Sequence, residues 1–260
     1  MEFAPALRCI DVLDDIAFPV MDLSAQGRGD FAFRLLNAWL DATGDHGAVP
    51  ALRFAVVYRA LVRAQVAQLR GAGHQASVQA YLATALAWTQ PAPARLWITH
   101  GLPGSGKSFA SQRLLEQQGA ICLRSDVERK RLFGLGMLDD SKAQGLDLYT
   151  PDTTRRTYER LFELARGVLA AGFSVVLDAA FLLRSEREQA RRLAEQAQVP
   201  LHIVVCGAPL ALLQQRLRDR RGDPSEADTA VLDKLLHVTE PLTPQESRLA
   251  IAADQIAPPP

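Results

Sequence analysis

The 260-residue sequence lacks an excess of charge of either sign, because 29 basic residues balance 29 acidic ones. A neutral chain gives no global signal for nucleic acid or for an anionic membrane surface. Arginine is concentrated between residues 184 and 221, so a local basic surface remains compatible with the composition. The sequence also lacks an apolar run long enough to cross a bilayer and a basic, apolar signal peptide at its start. We therefore expect no membrane partner.

Cysteine is scarce, and the three cysteines, Cys9, Cys122 and Cys206, do not have the spacing of metal ligands. Cys122 and Cys206 lie in apolar, strand-like runs, so we predict that both are buried thiols. Unpaired thiols are typical of a reducing compartment, and we expect the protein to be cytoplasmic.

Glycine is clustered in the segment Gly101–Ser108, which reads GLPGSGKS between an apolar run at 96–99 and an amphipathic pattern at 107–118. Glycines in a strand–loop–helix setting let backbone N–H groups and the positive end of a helix approach a phosphate. We therefore predict ATP as a cofactor, with Lys107 at the β- and γ-phosphates and the Ser108 hydroxyl on Mg²⁺. The predicted cofactor-binding residues of this loop are Gly101, Pro103, Gly104, Ser105, Gly106, Lys107, Ser108 and Phe109.

The stiff connector at residues 90–93 predicts a boundary between an all-helical segment, residues 1–92, and a second domain, residues 93–260. Apolar spacing in the first segment predicts helices over 30–41, 50–70 and 75–89. The helix over 50–70 is expected to share one apolar face, formed by Leu52, Ala55, Val56, Tyr58, Leu61, Val62 and Val66.

Strands and helices alternate after Pro93. Strands are predicted at 95–99, 120–124, 173–178, 201–206 and 248–252, and helices at 107–118, 126–133, 152–171, 185–197, 209–220 and 227–238. Short apolar strands separated by helices predict an α/β fold with a five-stranded parallel sheet that is covered on both faces. Ligands of such sheets bind beyond the carboxyl ends of the strands, where the glycine loop lies.

Two acidic residues follow predicted strands. Asp126, at the end of the second strand, can accept a proton from an attacking hydroxyl, and Arg129 one helical turn later can hold an anionic acceptor. A helix cap is the other interpretation of Asp126. Asp178 closes the third strand in the form of a Walker B element, whose carboxylate holds Mg²⁺. We interpret Arg184 and Arg187, which follow, as solvated.

A basic helix end and a polar loop form what we call the lid segment, residues 216–228. Arg216 and Arg220 lie four residues apart and thus on one helix face. A loop of this kind can close over a triphosphate, exclude water and neutralise charge on the transferring group. We interpret Arg218 and Arg221 as surface residues.

The motifs GLPGSGKS, RSDVERKRLFG, VVLDAAF and RLRDRRGDPSEAD occur in this order, and residues 95–253 resemble the P-loop kinase family usually labelled AAA-family ATPase. Its relatives include polynucleotide kinases, chloramphenicol phosphotransferase and zeta-toxin kinases. The resemblance implies an adenylate-kinase-like core with strand order 2-3-1-4-5 and ATP-Mg²⁺ as phosphate donor. It also implies catalytic or binding roles for Lys107, Ser108, Asp126, Arg129, Arg216 and Arg220, but it does not name the acceptor.

Residues 7–90 are similar to the helical end of an aminoglycoside-phosphotransferase-like domain, most clearly over 7–69, but no His-Gly-Asp catalytic loop precedes them. The resemblance therefore implies a shortened version without that activity. Helices without their original neighbour should expose apolar surface, which we expect to support a protein partner or self-association. The residues expected to form this surface are Ile10, Val12, Ile16, Phe18, Val20 and Met21, and the alternative is that they seal the local bundle.

The leading hypothesis is a Mg²⁺-dependent kinase that transfers the γ-phosphate of ATP to a hydroxyl of a small molecule or polynucleotide. Nucleic acid is not indicated, because the net charge is zero and no aromatic stacking stripe is present. The alternative is a nucleotide-dependent switch or ATPase whose acceptor is water. A third interpretation is a non-catalytic remnant of a fusion protein.

Overall fold

A computed structural model describes residues 11–256, and these divide into two compact units that meet at the Ala92–Pro93 bond. None of the described helices is both long enough and apolar enough to traverse a bilayer. Cys122 and Cys206 are buried free thiols, as predicted, whereas Cys9 and Ile10 lie outside the described residues.

The first unit is helical. Its helices are α1 (Val12–Ala25), α2 (Gly29–Thr43), α3 (Val49–Leu69) and α4 (Gln75–Thr89). Sequence patterns located α2, α3 and α4 but not α1, which contains Pro19 in its interior. A proline there removes one backbone hydrogen bond, and α1 is maintained by five side chains that are buried in the unit. These are Leu13, Ile16, Ala17, Val20 and Met21.

The predicted apolar face of α3 is wrong in part. Leu52, Ala55 and Val56 are buried as expected, but the exposed fractions of Tyr58 and Leu61 are 52% and 48%. The other buried residues of α3 are Val49 at its start and three alanines, Ala60, Ala64 and Ala67. Small residues allow neighbouring helices to approach closely, and α3 packs against both α1 and α4. The prediction failed for Tyr58 and Leu61, which are large apolar residues that lie outside the bundle, while alanines take the buried positions beside them.

The exposed surface predicted near the chain start is also wrong in part. Ile16, Val20 and Met21 are buried, because they face the other helices of the bundle. Val12 and Phe18 are exposed, at 56% and 41%. The prediction of a protein partner or self-association through this unit stays a prediction.

The second unit is an α/β domain. Its elements, in chain order, are β1 (Leu96–His100), α5 (Lys107–Gln118), β2 (Ile121–Arg124), α6 (Ser125–Arg131), α7 (Pro151–Ala170), β3 (Val175–Asp178), α8 (Arg184–Gln196), β4 (Leu201–Val205), α9 (Leu210–Asp219), α10 (Thr229–Val238), α11 (Pro244–Ser247) and β5 (Ala250–Ala252).

The five strands form one parallel sheet in the order β2-β3-β1-β4-β5, as the resemblance implied. The register aligns Arg124 with Asp178 at the ends of β2 and β3. Because β1 is central, the loop after it lies beside the ends of both neighbours, β3 and β4. This arrangement brings the glycine loop and the acids that follow β2 and β3 to one edge of the sheet.

Local sequence explains the ends of several helices. α5 ends at Gly119, which adopts a left-handed conformation, with φ of 59°, and bonds to the Leu115 carbonyl. α7 begins with Thr150, whose hydroxyl accepts from the Thr153 N–H, followed by Pro151 at the first helical position. Asp228 caps α10 by accepting from the Val231 N–H.

The solvated interpretation of Arg187 is wrong, whereas Arg184 is exposed as expected. Only 1% of Arg187 is exposed, and its Nε donates to Glu246 Oε1 at 2.7 Å. The guanidinium also donates to four carbonyls, those of Phe181, Leu182, Glu240 and Pro241. Arg187 therefore ties α8 to the segment before β5, a contact that no local pattern reveals.

Candidate active site at the carboxyl edge of the sheet

The glycine loop between β1 and α5 requires glycine for two separate reasons. A Cβ on Gly101 would lie 2.2 Å from the backbone oxygen of Cys206, so no side chain fits there. Gly104 has φ of 80° and packs against the backbone of Leu213 in α9. The loop therefore presents backbone N–H groups in a space that side chains would otherwise fill, as a phosphate site requires.

Lys107 begins α5 and its Nζ donates to the Leu102 carbonyl at 3.0 Å. Burial lowers the pKa of the Lys107 ammonium, and the nearby carboxylates of Asp178 and Asp126 oppose that shift. The positive charge of Arg220, like burial, lowers the pKa of Lys107, because it disfavours a second positive charge nearby. The electrostatic environment of Lys107 therefore includes three further residues that the sequence analysis selected.

Asp178 ends β3, where 5% of the residue is exposed. Burial raises the pKa of its carboxyl group, while Arg124, Lys107 and a hydrogen bond from the Ser108 hydroxyl lower it. Ser108 and Asp178 thus place two hard oxygen donors together beside the glycine loop. Within residues 11–256 no group of three or more His, Cys, Asp or Glu is arranged to hold a metal. The pair fits Mg²⁺, which takes one or two protein oxygens and completes its shell with phosphate oxygens and water.

Arg124 is a site residue that sequence reasoning missed. It ends β2, and its Nε lies 3.8 Å from Asp178 Oδ2 on the neighbouring strand. The signal was available in the alignment of strand ends, because a parallel sheet brings the last residues of β2 and β3 side by side. Arg124 supplies positive charge next to the carboxylate assigned to the metal.

Asp126 does not cap α6, which begins one residue earlier at Ser125. Its Oδ1 instead accepts from Arg129 Nη1 at 2.7 Å, within the first two turns of the helix. Asp126 is partly exposed and acts electrostatically on both Lys107 and Asp178. The carboxylate therefore lies close to the phosphate loop while remaining accessible to solvent.

Arg129 is 8% exposed, and its guanidinium lies over the Tyr149 ring, 4.8 Å from the centroid. Its Nε is buried and makes no hydrogen bond with any other residue of the described range 11–256, whereas Nη1 donates to Asp126. A buried guanidinium N–H without a partner is costly and marks a position where an acceptor atom would be favourable. Burial raises the pKa of the Tyr149 hydroxyl, so the ring faces Arg129 as a neutral phenol.

The two lid arginines occupy different positions. Arg216 Nη1 donates to the Gly104 carbonyl at 2.9 Å, so α9 contacts the phosphate loop directly. Arg220 follows α9 and donates to the Ser225 carbonyl at 3.4 Å. Arg221 is exposed, and its Nη1 donates to the carbonyls of Arg218 and Arg220. Arg220, unlike Arg221, contributes to the electrostatic environment of Lys107.

The remaining predicted loop residues differ in exposure. Pro103 and Ser105 are buried, Gly106 precedes α5 with φ of 93°, and Phe109 is 67% exposed on the first turn of α5. The Ser105 hydroxyl is buried and makes no hydrogen bond within the part of the chain that the structure describes. Phe109 lies near Arg113, whose guanidinium is 5.7 Å from the ring centroid.

Sequence comparison identifies relatives of this chain. Residues 96–242 match the model of a family described as an AAA domain. An uncharacterized protein of Mycobacterium tuberculosis is 31% identical over 237 residues, which are 89% of this chain and 47% of that protein. A Mycobacterium bovis protein matches with the same identity and coverage. The chain thus spans about half the length of the curated relatives that it matches.

Solved structures with a similar fold share little sequence with the chain. A sugar kinase from Janibacter has a TM-score of 0.46 with 20% identity, over 63% of this chain and 87% of that one. A gluconokinase from Sinorhizobium meliloti has a TM-score of 0.43 with 21% identity, over 63% and 83%. The Mycobacterium tuberculosis APS kinase, in complex with AMPPNP and APS, has a TM-score of 0.43 with 22% identity, over 64% and 91%.

Proposed function

The chain belongs to the AAA domain family, and on that premise we propose that it is a Mg²⁺-dependent kinase that transfers the γ-phosphate of ATP to a hydroxyl. The acceptor is a small molecule or a polynucleotide 5′-hydroxyl, with the small molecule favoured by the neutral net charge. The observation that carries the proposal is the position of Asp126 among Lys107, Asp178 and Arg129. An ATPase can use such a carboxylate to orient water, but water as acceptor does not require the anion-binding group that Arg129 offers beside Asp126.

In this proposal Asp126 accepts the proton of the acceptor hydroxyl, whose oxygen forms a bond to the γ-phosphorus. The bond between that phosphorus and the β–γ bridging oxygen breaks, and ADP leaves with the electron pair. Lys107 and Arg220 neutralise the charge on the phosphoryl oxygens, and the loop N–H groups hold the diphosphate. Bound Mg²⁺, held by Ser108 and Asp178, supplies further charge neutralisation.

Arg129 binds an anionic group of the acceptor in this proposal. Its unpartnered Nε supports that role, and the ion pair with Asp126 holds both side chains in a fixed relation. An acceptor that carries a carboxylate or phosphate would thus be oriented with its hydroxyl near Asp126. We also propose a cytoplasmic location, because two free thiols are buried in the fold.

Incubation with γ-labelled ATP and a panel of hydroxyl metabolites and oligonucleotides tests the proposal. We expect label on one acceptor class, and we expect Asp126→Asn to lower transfer by about 10²–10⁴-fold while nucleotide still binds. The matched control is Asp152→Asn, since Asp152 also lies in the first turn of a helix but is exposed. Label that appears only as free phosphate with every acceptor would favour the alternative, a switch or ATPase with water as acceptor.

A further inference from the structure

Glu226 joins the lid segment to the α6–α7 segment, residues 132–150. Its Oε1 accepts from Lys130 Nζ at 2.9 Å and from the Ser141 N–H at 3.1 Å, and its Oε2 accepts from the Ser141 hydroxyl. Its own N–H donates to Tyr149 Oη at 3.1 Å. One residue of the lid segment is therefore bonded at both backbone and side chain to three residues from the acceptor side of the site.

Lys130 is fixed by the same cluster. Its side chain is 3% exposed, and Nζ donates to the carbonyls of Met137 at 3.2 Å and Asp139 at 2.7 Å in addition to Glu226. An ammonium group has three N–H donors, and each of these has an acceptor. Because the charge is buried, removal of the Glu226 carboxylate would leave it without its counter-charge. The cluster therefore has one favoured arrangement.

The cluster is continuous with the proposed reacting groups. The Tyr149 ring supports Arg129, which pairs with Asp126 at 2.7 Å. On the lid side, the carbonyl of the preceding residue, Ser225, accepts from Arg220. Direct contacts thus run from the lid arginine to the carboxylate that receives the proton.

We propose that Glu226 is a positioning residue that couples the placement of Arg220 over the triphosphate to the placement of Asp126 and Arg129 at the acceptor. This proposal rests on the proposed function, because it assigns a role within the same site. A lid segment that moves without the α6–α7 segment must break the bonds of Glu226, so the two segments order together. The consequence is that nucleotide binding, which orders the lid segment, also orders the acceptor side of the site.

Hydrogen exchange with Mg²⁺ and AMPPNP tests the coupling without a known acceptor. We expect the nucleotide analogue to slow exchange at least about threefold in both residues 216–228 and residues 132–150 of the unaltered chain. In Glu226→Gln the slowing should remain in the glycine loop and lid segment but be lost in residues 132–150. Ser141→Ala is a milder variant that should lose part of the effect and that removes no buried charge.

The matched control is Lys142→Ala. Lys142 pairs with Asp228 at 2.8 Å across the same two segments, but the side chains are 65% and 46% exposed. An exposed ion pair contributes little, so this variant should behave as the unaltered chain. The melting temperature of each variant identifies general unfolding.

A second measurement compares label transferred to the acceptor with label released as free phosphate. Glu226→Gln should lower the ratio of transfer to hydrolysis at least about tenfold, because misplacement reduces transfer more than triphosphate binding. Unchanged exchange coupling and an unchanged ratio in folded Glu226→Gln would overturn the inference and leave the kinase proposal intact. Absence of protection in the glycine loop itself would instead contradict nucleotide binding and overturn both.

Discussion

The two units of the molecule differ in where they place charge and where they place apolar surface. Among the described residues of the helical unit, the buried polar ones are Asn37, His46 and Thr84. None of these is an acidic residue, a lysine or an arginine. The α/β unit buries Glu128, Arg129, Lys130, Asp178 and Arg187. Burying charge costs free energy unless the charge is paired, so the described part of the α/β unit depends on paired charges more than that of the helical unit.

Exposed apolar surface has the opposite distribution. Phe54 and Leu69 on α3 are 76% and 80% exposed, and several other large apolar side chains of the helical unit are also outside. In the α/β unit the most exposed large apolar residue among those described is Phe109, beside the phosphate loop. We propose that the chemical site lies in the α/β unit, whereas contact of other molecules with the apolar surface of the helical unit stays a prediction.

Arg220 provides the largest expected effect within the α/β unit. Arg220→Ala should lower the rate of phosphate transfer by about 10³-fold or more. An arginine that neutralises the transferring phosphoryl group contributes a rate factor of that size in other phosphoryl-transfer enzymes. Arg221→Ala is the control, since Arg221 is exposed and bonds to nearby carbonyls. Single-turnover transfer of label from γ-labelled ATP is the measurement. Equal rates for the two variants would contradict the assignment of Arg220 to the site.

Substitution of Arg187 tests how much the free energy of unfolding depends on the buried ion pair with Glu246. Arg187→Met should lower the free energy of unfolding of the α/β unit by about 3–5 kcal/mol, because Glu246 loses its counter-charge and several carbonyls lose a donor. Arg155→Met serves as the control, since Arg155 is exposed and its ion pairs lie along one helix. Denaturant titration supplies both values. A small change for Arg187 would show that the α/β unit does not depend on its buried ion pairs.

Helix α3 allows the comparison to be made within the helical unit. Leu52→Ala should cost about 2–5 kcal/mol, because Leu52 is fully buried. Phe54→Ser, two residues away and 76% exposed, should change the free energy of unfolding by no more than about 0.5 kcal/mol. Light scattering should show weaker self-association for Phe54→Ser together with Leu69→Ser. Strong destabilisation by Phe54→Ser would mean that this surface is part of a folded core.

Much of the α/β unit could be predicted from the sequence. The predicted sheet order is confirmed, and the family match confirms the resemblance to the AAA family. The helix over 107–118 has the predicted bounds, whereas most strands are one or two residues shorter. The assigned roles of Lys107, Asp126 and Arg220 stay predictions, although the structure brings these residues into one electrostatic environment.

The errors have a common physical origin. The face of α3 was assigned by apolar spacing, but close helix packing places Ala60, Ala64 and Ala67 on the buried face. Helix α1 was missed because proline lowers helix propensity, and tertiary contacts outweigh that cost. Helix caps and apolar spacing predicted the final fold correctly only where local preference and tertiary packing agree.

The sequence by itself determined the phosphate loop and the alternation of strands and helices, because both depend on residues that are neighbours along the chain. Only the tertiary structure decided that Arg187 is buried against Glu246, 59 residues away, and that Ser141 bonds to Glu226, 85 residues away. Contacts at such separations depend on which elements pack together, and a charged residue leaves no periodic pattern that reveals its partner. The acid that we propose as the proton acceptor could therefore be located by its strand, but the cluster that fixes its surroundings could not.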